Sequence, residues 1–168
     1  LVYENIYQQV YQVDTEGDGL KKEYFVMDTG QRAGIVVERE DSVLLVSQYR
    51  LIINGLSWEI PGGRVDDGEV PEETAIRECL EETGVRCFNP QPLMFYHPGL
   101  DTRHNPTYIF SSREIVSEHE THMIHHHEVK GCKWVPLDCC IDMISKGEIV
   151  DSFTIIGLLA FQAQKTRV

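Results

Sequence analysis

The stretch from Gly63 to Val85 reads GRVDDGEVPEETAIRECLEETGV, and its centre has the features of an α-helix. Pro71 suits the first position of a helix, where its missing N–H has no partner to lose. Glu72 and Glu73 then place carboxylates at the positive end of the helix dipole. Gly84 is the residue type expected just past a helix end. The pattern therefore predicts a helix over about 71–83.

The predicted helix has an acidic side and an apolar side. At about 100° per residue, Glu78, Glu81 and Glu82 crowd one side. The apolar side is formed by Ile76, Cys79 and Leu80. Like charges four residues apart weaken a helix, so we interpret the crowding as functional: Mg²⁺ prefers oxygen ligands and is commonly bound by a few carboxylates together with substrate phosphates. A solvated acidic face is the alternative interpretation.

The spacing of residues across the same stretch is much more specific than its composition. It is Gly63-x5-Glu69-x7-Arg77-Glu78-Cys79-x-Glu81-Glu82-x-Gly84-Val85. Such a match arises by chance on the order of once per billion starting positions at average residue usage. The pattern is that of the Nudix box, so the chain resembles the Nudix hydrolases, enzymes that cut diphosphates joined to a second group.

Length and charge limit the other possibilities. A chain of 168 residues is long enough for one domain with a substantial core, and we expect a single domain over residues 1–168. The net charge of −12 argues against a nucleic-acid backbone or an anionic membrane as the main partner. No apolar run approaches the ~18 residues of a membrane span, and no signal peptide is evident.

The cysteines indicate a reducing compartment. Their number is odd, no Cys-x-x-Cys is present, and Cys79 falls on the apolar side of the predicted helix. These features are typical of reduced intracellular thiols. We therefore expect a cytoplasmic protein.

The order of predicted elements mixes strands and helices throughout. Strands are expected over 5–13 and 23–28, on either side of a turn at 15–19, and a hairpin is expected from 33–38 and 43–48. Further strands are expected over 58–60 and near 92–97, 107–111 and 129–135. Two helices are expected near 137–146, ended by Gly147, and 152–164, capped by Asp151 or Ser152. Such an order favours a sheet layered between helices.

Several segments outside the box resemble the ADP-ribose pyrophosphatase and nucleotide-sugar branch of the Nudix hydrolases. These segments are Gln48-Tyr49-Arg50, Trp58-Glu59-Ile60-Pro61-Gly62-Gly63, His97-Pro98-Gly99 and Trp134-Val135-Pro136-Leu137-Asp138. The resemblance implies an α/β fold of the Nudix type, an α/β/α sandwich with a mixed sheet and an extra N-terminal antiparallel strand region. It also implies a homodimer in which the strands of residues 1–30 take part.

The resemblance assigns roles to the residues of the box. The glutamates matching Glu78 and Glu82 bind divalent metal ions, Glu81 joins them directly or through water, and the carbonyl of Gly62 is a further ligand. The ions would be two or three Mg²⁺, with Mn²⁺ as a substitute, and would screen the anionic diphosphate in the transition state. Glu69 and Arg77 would form an ion pair that holds the loop against the helix.

The residue that accepts the proton of the attacking water is less well defined. In this branch a glutamate before the Trp-Val-Pro strand is the base or a further metal ligand, and Glu128 is its best match, with Glu120 in reserve. The run His125–His127 departs from the acidic pattern expected there, and His126 is an alternative base, since a neutral imidazole accepts protons near pH 7. A mobile polar loop and a zinc site through His122 and His126 are further interpretations of the histidines.

Candidate substrate contacts lie in the flanking segments. They are Arg50, Trp58, Glu59, Pro98, Gly99 and Arg103. Trp58 or Tyr96 would stack on a base, unless they are core residues, and Arg50 would pair with a phosphate or stack on adenine, unless it forms an ordinary salt bridge. Asp101-Thr102-Arg103 replaces the acidic residue usual after Pro-Gly, so a related nucleoside diphosphate sugar fits about as well as ADP-ribose.

The function expected from the sequence is hydrolysis of a nucleoside diphosphate linked to another moiety, ADP-ribose or a nucleotide sugar, to a nucleoside monophosphate and a sugar phosphate. One alternative is a Nudix hydrolase of nucleoside triphosphates or dinucleotides. The other is a non-catalytic domain that senses a nucleotide, although such domains usually lose box carboxylates, and Glu78, Glu81 and Glu82 are all present.

Overall fold

The computed structural model describes residues 1–17, 19–118 and 129–166. In these ranges the α-helices are α1 (Pro71–Thr83), α2 (Leu137–Ser145) and α3 (Ser152–Lys165), and a short 3₁₀ helix spans Leu51–Ile53. The strands are β1 (Tyr3–Glu4), β2 (Gln9–Gly17), β3 (Leu20–Asp28), β4 (Arg32–Arg39), β5 (Ser42–Arg50), β6 (Gly55–Glu59), β7 (Gly62–Arg64), β8 (Val85–Phe88), β9 (Gln91–Tyr96), β10 (Arg103–His104), β11 (Thr107–Ser112), β12 (Glu114–Glu118) and β13 (Val129–Pro136).

The central sheet has the strand order β13-β5-β4-β11-β9, with β6 paired to β5 and β7 paired to β4. Strand β11 runs parallel to β4, whereas β13, β5, β6 and β7 pair antiparallel with their neighbours. The sheet is therefore mixed, as predicted. The pairing of β7 with β4 sets Gly62 opposite Gly34 and so brings the start of the box into the sheet.

The two faces of the sheet pack against different helices. On one face, Ile35 and Val37 of β4 join Ala75 and Cys79 of α1 in a buried cluster. On the other face, Val36 joins residues of α2 and α3 in a second cluster. Alternate residues of a strand point to opposite faces, so β4 carries both cores. This arrangement confirms the α/β/α sandwich.

The N-terminal region forms a separate sheet in the order β1-β2-β3-β10, which confirms the predicted antiparallel strand region. The strands differ from the prediction, because β2 and β3 pair as far as Gly17 with Leu20 and so leave a shorter turn than 15–19. Strand β10 adds to this sheet in parallel with β3. The segment after Pro98-Gly99 is therefore attached to the N-terminal strands.

Most of the other predicted elements are confirmed within a few residues. The hairpin predicted at 33–38 and 43–48 is β4–β5, and its turn residues Glu40 and Asp41 have left-handed φ angles of 49° and 62°. Strands β8 and β12, which pair with each other, were missed by the sequence analysis. Among the residues described, no helix has the length and apolar character needed to cross a membrane.

Candidate active site

Helix α1 begins and ends where the sequence predicts. Pro71 occupies its first turn together with Glu72 and Glu73. Gly84 closes the helix in the left-handed conformation, with a φ angle of 73°, and its N–H donates to the carbonyl oxygen of Leu80 at 2.9 Å. Glycine adopts this conformation without the steric cost that a β-carbon brings. The bounds of α1 fix the positions of the box glutamates.

Gly63 leaves room for the carboxylate of Glu78. A β-carbon built on Gly63 would overlap both Oε1 and Cδ of Glu78. Glu78 is only 8% exposed, so its carboxylate has little freedom to move away. The requirement for glycine at position 63 therefore comes from the close approach of a buried carboxylate.

Glu82 is held by two donors from different strands. Gln48 Nε2 of β5 donates to Oε1 at 2.5 Å, and the backbone N–H of Gly62 donates to Oε2 at 3.0 Å. Burial raises the pKa of Glu82 to about 7, and the charge of Glu78 acts in the same direction, whereas the two hydrogen bonds oppose the rise. The carboxylate is fixed in place while keeping further lone pairs for another ligand.

Arg77 gathers the remaining carboxylates of the box. Its Nε and Nη2 donate to the two oxygens of Glu69 at 2.9 and 3.0 Å. Its Nη1 donates to Glu78 at 2.9 Å and to Glu81 at 3.1 Å. The guanidinium lowers the pKa of Glu69 to about 2, and Glu69 in turn raises the pKa of Arg77 above its usual range. The predicted Glu69–Arg77 pair is present, and it extends to Glu78 and Glu81.

Arg50 and Glu59 pair with each other. Arg50 Nε donates to Glu59 Oε1 at 2.8 Å and Nη2 to Oε2 at 2.6 Å. Glu59 is 2% exposed, whereas the Arg50 side chain is half-buried. This fork is an ordinary salt bridge, and contact of Arg50 with a phosphate or with adenine stays a prediction.

Trp58 packs against the core cluster on the α3 side of the sheet, and Lys133 Nζ lies 3.9 Å from the centre of its ring. Its side chain is half-buried. The contact accounts for the position of the indole as a core-edge residue. Base stacking by Trp58 stays a prediction.

The loop with Pro98, Gly99 and Arg103 is anchored to the N-terminal sheet. Arg103 N donates to the carbonyl oxygen of Gly99 at 3.3 Å, and a β-carbon on Gly99 would lie 3.3 Å from Arg103 Cβ. Met27 N of β3 donates to the carbonyl oxygen of Thr102 at 2.8 Å. Strand β3 therefore anchors the loop that carries Pro98, Gly99 and Arg103. This anchor is separate from the hydrogen bonds that Arg77 makes within the box.

The residues predicted to supply the base lie outside the described residues. They are Glu128, Glu120 and His126, and the other histidines of this segment, His122, His125 and His127, lie outside the described residues as well. Their roles remain predictions from the sequence. The structure describes the neighbouring strand from Val129 onwards, and it pairs Val129 of β13 with Gln48 of β5.

The donor set of the box fits a hard divalent cation. Within residues 1–17, 19–118 and 129–166, no three acidic, histidine or cysteine side chains meet closely enough to hold a metal ion. Glu78 and Glu81 both accept from Arg77 Nη1. All three side chains nevertheless offer carboxylate oxygens, the ligands that Mg²⁺ prefers. Gly63 lets the carboxylate of Glu78 occupy the position that a β-carbon would fill. Glu78, Glu81 and Glu82 would hold the ion, with the predicted Gly62 carbonyl beside them.

Two residues of the site were missed by the sequence analysis as site residues. Gln48 was noted only as part of a motif, yet it holds Glu82 across 34 positions of sequence. Thr154 of α3 is fully buried, and its Oγ1 accepts from the backbone N–H of Ile60 at 3.1 Å. Asp151 caps α3 by accepting from Thr154 N at 2.9 Å, which confirms one of the two predicted caps. Thr154 therefore fixes the strand that leads into Gly62 and Gly63.

Comparison with known families gives a match over most of the chain. The NUDIX domain matches residues 28–149. This range contains the central sheet from β4 to β13, together with α1 and α2. The N-terminal hairpin β2–β3 and helix α3 lie almost entirely outside it.

Curated relatives extend the similarity to nearly the whole chain. The CMP-5'-(N-acetyl-N-hydroxy-3-aminopropyl)phosphonate hydrolase of Streptomyces rubellomurinus (strain ATCC 31215) is 33% identical over 153 residues, which cover 90% of this chain and 72% of that protein. The ADP-ribose pyrophosphatase of Mycobacterium tuberculosis (strain ATCC 25618 / H37Rv) is 30% identical over 158 residues, 92% of this chain and 75% of that protein.

A solved structure of an ADP compounds hydrolase has the same fold. It superposes with a TM-score of 0.81 at 20% sequence identity, covering 97% of this chain and 89% of the other. At this identity the likeness concerns the fold alone. Since the superposition spans almost the whole chain, it includes the N-terminal strands as well as the box.

Proposed function

The chain belongs to the NUDIX domain family of hydrolases, and we propose that it hydrolyses ADP-ribose or a related nucleoside diphosphate sugar. The products would be a nucleoside monophosphate and a sugar phosphate. The observation that carries the proposal is that the box carboxylates are held together at the start of the box: Glu78 packs against Gly63, Glu82 accepts from the N–H of Gly62, and Glu81 shares Arg77 with Glu78. All the box carboxylates are present, which favours an enzyme over a nucleotide sensor.

Metal ions would neutralise the diphosphate and make water a better nucleophile. We propose two or three Mg²⁺, with Mn²⁺ as a substitute, held by Glu78, Glu81, Glu82 and the Gly62 carbonyl. The chain's own contribution is to orient these oxygens. Gln48 and Gly62 N–H fix Glu82, and Arg77 keeps Glu78 and Glu81 together. Glu69 holds Arg77 in turn and so acts on the site through it.

The substrate class rests on the relatives together with the flanking segments. The names of the two curated relatives describe one enzyme that acts on a CMP phosphonate and one that acts on ADP-ribose. We propose that Arg50, Trp58, Glu59, Pro98, Gly99 and Arg103 contact the nucleotide or the sugar. Hydrolysis of nucleoside triphosphates or dinucleotides is the second candidate, on the grounds that the box alone does not select the leaving group.

A residue of the segment before β13 would accept the proton of the attacking water. We keep Glu128 as the first candidate and Glu120 or His126 as alternatives. The pairing of Val129 with Gln48 supports Glu128, because Val129 follows Glu128 directly in the sequence and lies opposite the residue that binds Glu82. A glutamate or a neutral histidine would serve as a base near pH 7.

We propose that the protein is a homodimer whose N-terminal strands form part of the interface. Val13, Leu20 and Phe25 of β2 and β3 are 41%, 75% and 52% exposed. Apolar side chains in this number on one hairpin favour burial against a partner. The five cysteines form no disulfide with one another, and this favours the reducing environment of the cytoplasm.

The proposed function is tested by a substrate panel with Mg²⁺ and with EDTA. The panel contains ADP-ribose, other nucleoside diphosphate sugars, dinucleotides and nucleoside triphosphates, and product masses identify the bond that is cut. We expect Mg²⁺-dependent release of a nucleoside monophosphate from a diphosphate sugar. Preferential cleavage of a triphosphate would support the second candidate, and activity that persists in EDTA would contradict the metal-dependent mechanism.

A further inference from the structure

The carboxylate of Glu82 depends on Gln48 for its orientation. Both side chains are buried, with exposures of 5% for Glu82 and 3% for Gln48, and Gln48 Nε2 lies 2.5 Å from Glu82 Oε1. A carboxylate held by a fixed donor on each oxygen has one preferred orientation. The side-chain amide of Gln48 can flip, which exchanges the positions of its oxygen and its NH₂ group. It fixes the orientation of Glu82 only if this flip is prevented.

Ser57 lies directly opposite Gln48 in the pairing of β5 with β6. Residues that are opposite each other in an antiparallel pair have their side chains on the same face and their β-carbons about 5 Å apart. Ser57 is 2% exposed, and its Oγ has no hydrogen-bond partner within the part of the chain that the structure describes. A buried hydroxyl without a partner is costly, and ordered water is the usual partner of such a group.

The surroundings of the Gln48–Ser57 pair are polar. Glu59 is two residues beyond Ser57 on the same face of β6 and is paired with Arg50. The carboxylate of Glu82, which accepts from Gln48, is a further polar group near the pair. A water molecule therefore finds several polar groups around Ser57, as a buried water requires.

We propose that Gln48 and Ser57 are positioning residues for the metal-binding carboxylate of Glu82. Ser57 Oγ and the amide oxygen of Gln48 share an ordered water. The water fixes the amide with its NH₂ group toward Glu82, and the amide fixes the carboxylate. The inference rests on the proposed function, because it assigns Glu82 to a metal ion. It adds two residues that act on the ion only through Glu82.

The test is the affinity for Mn²⁺, measured by the loss of the free Mn²⁺ signal in electron paramagnetic resonance. Gln48→Met keeps the length of the side chain and removes the donor, and Ser57→Ala removes only the hydroxyl. Ser47→Ala is the matched control, because Ser47 is also buried in β5 but lies on the opposite face. Thermal denaturation in EDTA confirms that each variant is folded. If Gln48→Met does not fold, Gln48→Asn replaces it, since the shorter amide does not reach Glu82.

We expect Gln48→Met to weaken Mn²⁺ binding by about 10- to 100-fold, the usual effect of losing a group that orients a ligand. Ser57→Ala should weaken it by a smaller factor, and Ser47→Ala should leave it unchanged. Because Ser57 acts through Gln48, the double variant should bind Mn²⁺ as Gln48→Met does. Wild-type affinity in Gln48→Met overturns the proposal. Additive losses in the double variant, or no loss in Ser57→Ala, overturn the role of Ser57.

Glu82→Gln separates a failure of this inference from a failure of the proposed function. If Glu82→Gln weakens Mn²⁺ binding and Gln48→Met does not, the inference is wrong and the metal site stands. If the wild type binds no Mn²⁺, or Glu82→Gln binds it equally well, the metal site is wrong and the inference falls with it.

Discussion

The carboxylate of Glu78 lies directly against the Cα of Gly63, in the space that a side chain at position 63 would need. Fifteen positions of sequence separate the two residues, and the turn of β7 into the loop before α1 brings them together. Glu78 is buried, so a residue larger than glycine would press its carboxylate into closely packed surroundings and out of its position. Position 63 thus controls where Glu78 is held.

Replacement of Gly63 by alanine should therefore displace Glu78 and reduce hydrolysis. A misplacement of about 1 Å costs on the order of 100-fold in rate, and we expect a loss of kcat/KM of at least this size. The measurement is steady-state kinetics on the best substrate of the panel. Gly17→Ala is the control, because a β-carbon there meets nothing within 4 Å. Equal activity of Gly63→Ala and Gly17→Ala would contradict the proposed position of Glu78.

Arg77 supplies the positive charge that Glu78 and Glu81 share in the absence of metal. Its replacement by glutamine should lower the free energy of unfolding in EDTA by about 1.5–3 kcal/mol, as expected for a lost hydrogen bond to a charged group. Removal of a cation from beside the carboxylates should also enlarge the stabilisation by Mg²⁺. Thermal denaturation with and without Mg²⁺ measures both effects. If Arg77→Gln lowers the free energy of unfolding by the same amount with Mg²⁺ as in EDTA, Arg77 does not compete with the metal.

The Glu69–Arg77 pair should make stability depend on pH in acid. The pKa of Glu69 is about 2 in the folded protein and 4.5 in its ordinary state, so folding favours the ionised form. The stabilisation is complete above pH 4.5 and is lost as the pH falls towards 2. In EDTA, the difference in unfolding free energy between wild type and Glu69→Gln should shrink over this range.

Glu73→Gln is the control for that experiment, because Glu73 is an exposed residue of the first turn of α1. The difference in unfolding free energy between Glu73→Gln and wild type should stay nearly constant over the same pH range. A constant difference for Glu69→Gln as well would mean that Arg77 does not favour the ionised form of Glu69.

Thr154 connects α3 to the strand that enters the box. Thr154→Val keeps the shape of the side chain but leaves the buried N–H of Ile60 without an acceptor, which should cost about 1–3 kcal/mol. Urea denaturation measures this loss, and Thr15→Val on the exposed hairpin should change stability by less than about 0.5 kcal/mol. Equal stability of the two variants would show that the contact with Ile60 contributes little.

The elements with local signals were predictable from the sequence. Helix α1 carries Pro71 at its start and Gly84 at its end, and α3 carries its Asp151 cap, so their bounds follow from neighbouring residues. Strands β8 and β12 were missed because β8 has only four residues, although its burial alternates from Val85 to Phe88. A pattern of this length does not distinguish a strand from the loop that follows a helix.

The contacts that complete the site were not predictable, because they join distant parts of the chain. Gln48 reaches Glu82 only after β5 has been placed next to β13 and the end of α1. The loop at Pro98-Gly99 is held by Met27, far away in sequence. Nothing in the local sequence of either segment indicates its partner. The box motif identifies the carboxylates of Glu78, Glu81 and Glu82, whereas the pairing of the strands determines which residues hold Glu82.

The central claim is that Glu82, with Glu78 and Glu81, binds the metal ions that drive hydrolysis of a diphosphate. The most direct measurement compares turnover of the best substrate by wild type, Glu82→Gln and Glu73→Gln at saturating Mg²⁺. Both variants lose one carboxylate from α1, so they differ only in its position. We predict that Glu82→Gln loses more than about 100-fold, the upper range for residues that merely orient a ligand, while Glu73→Gln keeps wild-type turnover. Wild-type turnover in Glu82→Gln would contradict the claim.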